Sequence, residues 1–173
     1  MPNSQSFIPH AVSIHDSAAR GFLDFDLGDL LAVLRSDRPR KWVVEIEDLS
    51  GRALAEATAA EIERRRLARE PRLVLDEDTF ARFADDVTQT LDAEFVAVDA
   101  HLTDDEAARL AADYANLLSE PVLLVILAIR GSYWIVLTKS WTDVTRLRDR
   151  FRDVRNEDPW AEIGIVPPSP PTV

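Results

Sequence analysis

The sequence predicts an α+β fold, a single domain in which a mixed β-sheet of about five strands is covered by amphipathic helices. The first observation is a pair of apolar runs, Val122–Ile129 and Tyr133–Thr138, separated by Arg130-Gly131-Ser132. Short runs rich in β-branched and aromatic residues around a glycine are typical of two antiparallel strands. Since neither run alternates with polar residues, we expect this hairpin, residues 121–139, to lie in the middle of the sheet with both faces covered.

Segments with helical spacing of apolar residues are the second observation. They lie at about 27–34, 80–91, 103–118 and 140–154, and the composition of residues 53–69 favours a further helix. Asp26, Thr103 and Ser140 stand at N-cap positions, and the latter two precede an acidic residue by the spacing of a capping box. Residues 52–57 fit a weak strand as well as a helix, and we favour a helix from about Ala53 because the composition that follows favours it.

The absence of an internal linker is the third observation. A chain of 173 residues is of single-domain size, and such a chain buries about 70% of its unfolded surface. We therefore predict one domain over residues 1–160 and a proline-rich tail over 161–173. The remaining strands are predicted from short apolar runs at 42–46, 73–75 and 94–99. Residues 7–8 and 12–14 are a candidate edge strand broken at Pro9, because proline cannot donate to a ladder.

Composition excludes several classes of function. The chain has no cysteine, which rules out disulfides, thiolate metal sites and a cysteine nucleophile. Its net charge of −11 disfavours nucleic acids and anionic membranes as partners because both repel it. No apolar run approaches the roughly 20 residues of a transmembrane helix, and the start lacks a signal-peptide pattern. We therefore expect a soluble, cytoplasmic protein, and the scarcity of lysine beside abundant arginine and alanine is typical of GC-rich bacteria.

The sequence contains no catalytic or cofactor motif. The histidines lack the spacing of a metal site, the glycines form no phosphate-binding loop, and no serine lies in a nucleophile elbow. We therefore expect no cofactor and no metal, and a non-enzymatic role is favoured. The alternative is a small enzyme or ligand-binding domain whose polar groups meet only in three dimensions, with a pocket formed by Glu45, Asp99 and His101.

Exposed aromatic residues and arginines are the candidates for partner binding. Trp141 lies in a predicted helix cap, Trp160 lies near the loose end of the chain, and Arg148 belongs to an arginine-rich helix. Such side chains frequently anchor protein interfaces. The leading hypothesis is therefore a regulatory, antitoxin- or immunity-type protein that binds a basic protein partner, with homodimer formation as a further alternative.

Overall fold

The computed structural model describes residues 9–15, 25–113, 116 and 119–162. Within them one sheet is formed by seven strands. These are β1 (His10–Ile14), β2 (Arg40–Gly51), β3 (Leu73–Asp76), β4 (Val87–Asp99), β5 (Val122–Ile129), β6 (Tyr133–Thr138) and β7 (Val154–Glu157). Their order is β3-β2-β4-β5-β6-β1-β7, and every neighbouring pair is antiparallel. The predicted α+β class is confirmed, whereas the sheet is antiparallel rather than mixed and has seven strands rather than about five.

The β5–β6 hairpin lies in the middle of this sheet, as predicted. Ile126 of β5 pairs with Val136 of β6, and both side chains are fully buried. Gly131 occupies the turn with a φ of +64°, a backbone conformation that favours glycine because it has no Cβ. Of the candidate edge strand, residues 12–14 are internal instead, since β1 lies between β6 and β7, and residues 7–8 lie outside the described part. Pro9 precedes β1, so it removes no hydrogen bond from the ladder.

Helices connect or follow the strands. They are α1 (Leu27–Val33), α2 (Ala53–Ala68), α3 (Glu77–Asp86), α4 (Asp104–Ala112), α5 (Trp141–Arg150) and the short α6 (Pro159–Glu162). The predicted N-caps are confirmed, because Asp26, Thr103 and Ser140 each accept a hydrogen bond from a backbone N–H three residues later. None of the helices in the described part is long and apolar enough to cross a membrane.

Contacts between distant residues determine the helix boundaries that the spacing of apolar residues left open or predicted wrongly. Residues 53–57 are helical, and the Asp86 carboxylate accepts hydrogen bonds from the first free N–H groups of α2, at Leu54 and Ala55. The predicted helix at 80–91 is too long, because Val87 begins β4 and pairs with β2. The predicted helix at 140–154 is likewise too long, because Val154 begins β7.

The remaining predicted boundaries fall partly outside the described residues. The helix expected over 103–118 ends at Ala112 in the structure, and residues 114, 115, 117 and 118 are not among those described. Residues 163–173, most of the expected tail, also lie outside them. The division of the chain near residue 160 therefore stays a prediction.

The sheet has an apolar core on each face. Helices α1, α2, α3 and α5 cover the first face, where the rings of Trp42 and Phe80 stack at 4.1 Å. On the second face, Val43 and Val96 pack in one cluster with Ala107 of α4. Because successive strand residues point to opposite faces, burial on both sides explains why the central strands show no alternation.

Candidate functional site

A cleft of about 500 Å³ opens at the end of the sheet where β2 begins, β6 ends and α5 starts. We call it the terminal cleft. Its charged lining consists of Arg35, Arg38, Arg40, Lys139 and Arg146 with Asp37, Glu120 and Asp143. Leu34, Leu123 and Leu124 supply apolar surface. Cations thus outnumber carboxylates here by five to three, although the chain as a whole carries a net charge of −11.

Three guanidinium groups of the terminal cleft retain most of their N–H donors. Arg38 donates from Nη2 to Asp99 Oδ2 at 3.2 Å. Arg146 donates from Nη1 to the Arg35 carbonyl at 3.4 Å. The Arg35 guanidinium has no hydrogen-bond or ion-pair partner among the described residues. Because each guanidinium carries about five donors, these three side chains can bind several further acceptor atoms.

Arg40 differs from these arginines because it is buried and each of its three guanidinium nitrogens donates a hydrogen bond. Its Nε and Nη2 donate to the Glu77 carboxylate at 2.8–3.0 Å, and its Nη1 donates to the Leu34 carbonyl at 3.0 Å. Trp42 Nε1 donates to the same carboxylate at 2.7 Å, and the guanidinium lies 4.8 Å from the centre of its ring. The bond to Leu34 holds the end of α1 against β2, so the loop that carries Arg35 and Arg38 starts from a fixed point.

Lys139 holds the opposite wall of the terminal cleft. Its Nζ donates to the carbonyl oxygens of Ser119, Glu120 and Val122, which uses all three N–H groups of the ammonium. Burial lowers the pKa of Lys139 below its ordinary value. The three carbonyl acceptors favour the charged form, so the ammonium contributes positive charge to the wall.

The first turn of α5 forms the rim of the terminal cleft, and Ser140 and Asp143 make hydrogen bonds within it. Asp143 N donates to Ser140 Oγ at 3.2 Å, and Thr138 Oγ1 donates to Asp143 Oδ2 at 3.1 Å. One turn later, Arg146 Nη1 lies 3.8 Å from Asp143 Oδ1, which is longer than a hydrogen bond. The Arg146 guanidinium is therefore positioned at the rim without being strongly bound there.

Asp99 and His101, two of the residues predicted to form a pocket, lie beside the terminal cleft. His101 Nδ1 is 2.5 Å from Asp99 Oδ1, while Asp99 Oδ2 accepts the hydrogen bond from Arg38. The hydrogen bond from the His101 side chain is the main cause of the lowered pKa of Asp99. The His101 side chain itself is largely exposed. Asp99 thus contacts the cleft through Arg38, and His101 contacts Asp99.

Glu45, the third residue of the predicted pocket, lies far from the other two. In the β2–β4 ladder Glu45 pairs with Glu94, whereas Arg40 pairs with Asp99, five residues further along. That separation corresponds to about 17 Å of strand, and strand alternation places Glu45 and Asp99 on opposite faces. The structure therefore does not form the pocket of Glu45, Asp99 and His101 expected from the sequence.

The Glu45 carboxylate belongs to a network of ion pairs on the second face instead. Arg66 Nη2 donates to Glu45 Oε1 at 2.8 Å, and Arg72 Nε lies 3.7 Å from Glu45 Oε2. Arg72 also donates from Nη1 to Glu94 at 2.5 Å and to the Ala111 carbonyl at 3.0 Å. Since Glu45 and Glu94 are directly opposed like charges, these arginines neutralise a repulsion that the register creates.

Trp141 and Arg148, two of the predicted partner-binding residues, lie together beside the terminal cleft. Trp141 is 56% exposed. The His10 ring packs edge-on against it at 5.1 Å, and the Arg148 guanidinium lies 5.4 Å from its ring centre. Arg148 also donates a hydrogen bond to Asn156 Oδ1. The third predicted residue, Trp160, falls in α6, and its side chain is outside the described part of the structure.

The residues of the terminal cleft are not singled out by the sequence analysis. Arg146 lies on the arginine-rich helix α5, from which only Arg148 was predicted to bind a partner. The signal that could have revealed the site is the stretch 35–41, in which four of seven residues are basic although the chain is acidic. Its position between a helix and a strand indicates a loop that carries several cations to one end of the sheet.

The fold and the cleft define an antiparallel α+β domain with a cation-lined cleft at one end of its sheet. Within the described residues, no group of three or more His, Asp or Glu side chains is arranged to hold a metal ion. Comparison with protein-family models, with curated proteins and with solved structures gives no match. The chemistry of the terminal cleft is therefore the basis for a functional proposal.

Proposed function

We propose that this protein is a non-enzymatic binding protein that takes up a ligand bearing carboxylate or phosphate groups in the terminal cleft. The supporting observation is the convergence of Arg35, Arg38 and Arg146 on one cleft of about 500 Å³. The planar fork of a guanidinium matches the oxygen geometry of these anions. The volume lies within the range of small-molecule pockets, about 300–1,000 Å³.

The contacts around the cleft favour an anion because they hold the walls and leave the donors available. Arg40 and Lys139 secure the two sides through carbonyl oxygens of Leu34, Ser119 and Val122. A wall that is already ordered loses little conformational entropy when a ligand binds. A hydrogen bond to a charged group contributes about 1.5–3 kcal/mol, so two such bonds supply useful affinity for a small anion.

The same contacts favour binding over catalysis. The ammonium of Lys139 uses all three N–H groups on carbonyl oxygens, so this side chain is held against the wall and not directed at a ligand as a nucleophile. The carboxylate of Asp143 accepts a hydrogen bond from Thr138. Lys139, the candidate nucleophile of the cleft, and Asp143, its candidate base, are therefore both engaged in contacts that hold the cleft walls.

Replacing Arg35 and Arg146 by alanine tests this proposal. We expect at least one of four anions, namely inorganic phosphate, pyrophosphate, citrate and glutamate, to bind the native protein, as measured by calorimetry and by NMR titration. Each substitution is expected to weaken binding about 10- to 100-fold, because each removes charge-assisted hydrogen bonds worth about 1.5–3 kcal/mol. Raising the salt concentration should weaken binding further through screening.

Arg109→Ala is the matched control. Arg109 is an exposed arginine near the end of α4, outside the lining of the terminal cleft. Its removal changes the net charge as Arg35→Ala does but should leave anion affinity unchanged. Equal weakening by the control, or the failure of all four anions to bind the native protein, would contradict the proposal.

A basic protein partner is a second candidate function, favoured by the exposed ring of Trp141. This is the regulatory, antitoxin- or immunity-type role expected from the sequence. A net charge of −11 attracts cationic partners over long range. An exposed tryptophan whose position is held by neighbouring side chains is typical of an interface anchor, and His10 and Arg148 contact the Trp141 ring in this way.

Trp141→Ser tests the second candidate. The immobilised native protein should retain a basic partner from a bacterial lysate at low salt and release it at about 0.5 M salt, where the Debye length is only a few ångströms. Trp141→Ser should abolish retention, whereas Leu67→Ser should not, because Leu67 is an exposed apolar residue elsewhere on the surface. Retention that survives Trp141→Ser would exclude this surface. Light scattering on the same samples separates a partner complex from a homodimer.

A further inference from the structure

A second cleft lies against the terminal cleft, and the two are separated by a ridge formed by Arg35, Ser36 and Asp37. The second cleft has a volume of about 430 Å³ and extends between α1 and α3. We infer that the ligand is a short dipolar peptide that crosses the ridge, with its acidic end in the terminal cleft and a lysine or arginine side chain in the second cleft. This inference rests on the proposed function of the terminal cleft.

The two clefts are contiguous because they share one wall. All three ridge residues and Arg40 line both of them. The ridge residues are exposed, so a ligand can lie over them. The ridge is held from several sides, since Arg40 Nη1 donates to the Leu34 carbonyl, Arg146 donates to the Arg35 carbonyl, and Arg38 N donates to Ser36 Oγ at 3.1 Å. It is therefore a fixed partition over which one ligand can reach both sides.

The charges available to a ligand differ between the two sides of the ridge. The terminal cleft adds the guanidinium groups of Arg38 and Arg146 to that of Arg35. The second cleft adds two carboxylates, Glu77 and Asp85. Glu77 is already bound by Arg40.

Asp85 and Asp37 are the carboxylates that the second cleft leaves available. Neither carboxylate has a hydrogen-bond or ion-pair partner among the described residues. On the terminal side, the guanidinium donors are the groups left available. The second cleft thus attracts a cation on the side opposite to the anion site.

The floor of the second cleft is suited to the apolar stem of a lysine or arginine side chain. Its apolar lining consists of Gly28, Leu31, Ala32 and Ala81. Long cationic side chains place their methylene groups on such surfaces and their charge at a polar rim. A Cβ at Gly28 would lie 3.7 Å from Asp85 Oδ1, so this apolar floor lies directly beside the Asp85 carboxylate. A peptide of about six residues extends up to about 20 Å, which is long enough to cross the ridge.

Fluorescently labelled peptides test this inference with the full-length protein. The probes are Glu-Glu-Ala-Ala-Lys-Lys, its reverse sequence, and Glu-Glu-Ala-Ala-Gln-Gln, which keeps only the acidic end. By fluorescence anisotropy, we expect one of the two dipolar peptides to bind at least about tenfold more tightly than the acidic peptide, since it gains a charge-assisted contact. The double variant Asp37→Asn with Asp85→Asn should lower dipolar binding to the level of the acidic peptide.

The outcomes separate this inference from the proposed function. Asp78→Asn is the matched control, because Asp78 is an exposed acid at the start of α3 that does not line the second cleft. Equal binding of dipolar and acidic peptides, or an equal loss with the control, overturns the inference and leaves the anion site in place. If no peptide binds while the small anions do, the inference is also overturned and the proposed function stands. If neither peptides nor small anions bind, both are overturned.

Discussion

Ile126→Asp is expected to leave the protein unfolded at neutral pH. Ile126 is fully buried and pairs with Phe95 on one side and Val136 on the other. A carboxylate there loses its hydration without gaining a partner, which costs several kcal/mol, and the lost isoleucine burial adds about 1.5–3 kcal/mol. The sum approaches the whole stability of a domain, about 5–15 kcal/mol. Circular dichroism should show no cooperative transition, or a Tm lower by at least about 10 °C.

Two control substitutions separate the buried charge from other effects. Ile126→Val removes one methyl group and should cost about 0.5–1.5 kcal/mol. Gln89→Asp introduces the same carboxylate at an exposed position of β4 and should change stability by no more than about 0.5 kcal/mol. A folded Ile126→Asp protein with an unchanged Tm would show that this hairpin is not the centre of the core.

Glu77→Ala is expected to lower the free energy of unfolding by about 3–5 kcal/mol, because it strands a buried guanidinium. Arg40 is only 7% exposed, and its Nε and Nη2 depend on the Glu77 carboxylate. The indole N–H of Trp42 loses its acceptor in the same change. Urea denaturation followed by tryptophan fluorescence measures the loss as a lower midpoint at an unchanged slope.

The adjacent acid and a double variant make this prediction specific. Asp78→Ala removes an exposed carboxylate from the same helical turn and should cost only about 0.3–1 kcal/mol through the helix dipole. Replacing both Arg40 and Glu77 by methionine removes the stranded charge, so it should recover most of the stability lost in Glu77→Ala. If Glu77→Ala were no more destabilising than Asp78→Ala, the pairing of Arg40 with Glu77 would contribute little to the fold.

The features that the sequence predicted correctly are those encoded within a few residues. The N-cap at Asp26 and the capping box at Thr103 depend on a side chain and a backbone N–H three positions away. The hairpin depends on two apolar runs and a glycine that accepts a positive φ. Such local interactions act in the same way in almost any tertiary context.

Element boundaries failed where a distant strand competed with a local pattern. Val87 continues the helical spacing of α3, yet it pairs with Gly51 as the first residue of β4. Val154 continues the spacing of α5, yet it is the first residue of β7 and pairs with Ile14 of β1. In both cases a ladder with a strand far away in the chain replaces one more helical turn, and spacing alone carries no information about such a partner.

The residues of the candidate site were harder to predict from the sequence than the boundaries of the helices and strands. Glu45 and Asp99 are both acids on strands, and only the register shows that they lie on opposite faces and about 17 Å apart. Conversely, Arg38 and Arg146 are more than 100 positions apart in the chain, yet they line one cleft.

By itself, the sequence determined the α+β class, the central hairpin, the helix N-caps and the absence of cysteine chemistry, because these depend on composition or on neighbours within about one helical turn. Only the tertiary structure decided the number and order of the strands, the pairing of Arg40 with Glu77, and the meeting of cations at one end of the sheet. The physical reason is that ladder register and ion pairs join groups that the chain keeps far apart. Their geometry therefore exists only after the sheet has formed.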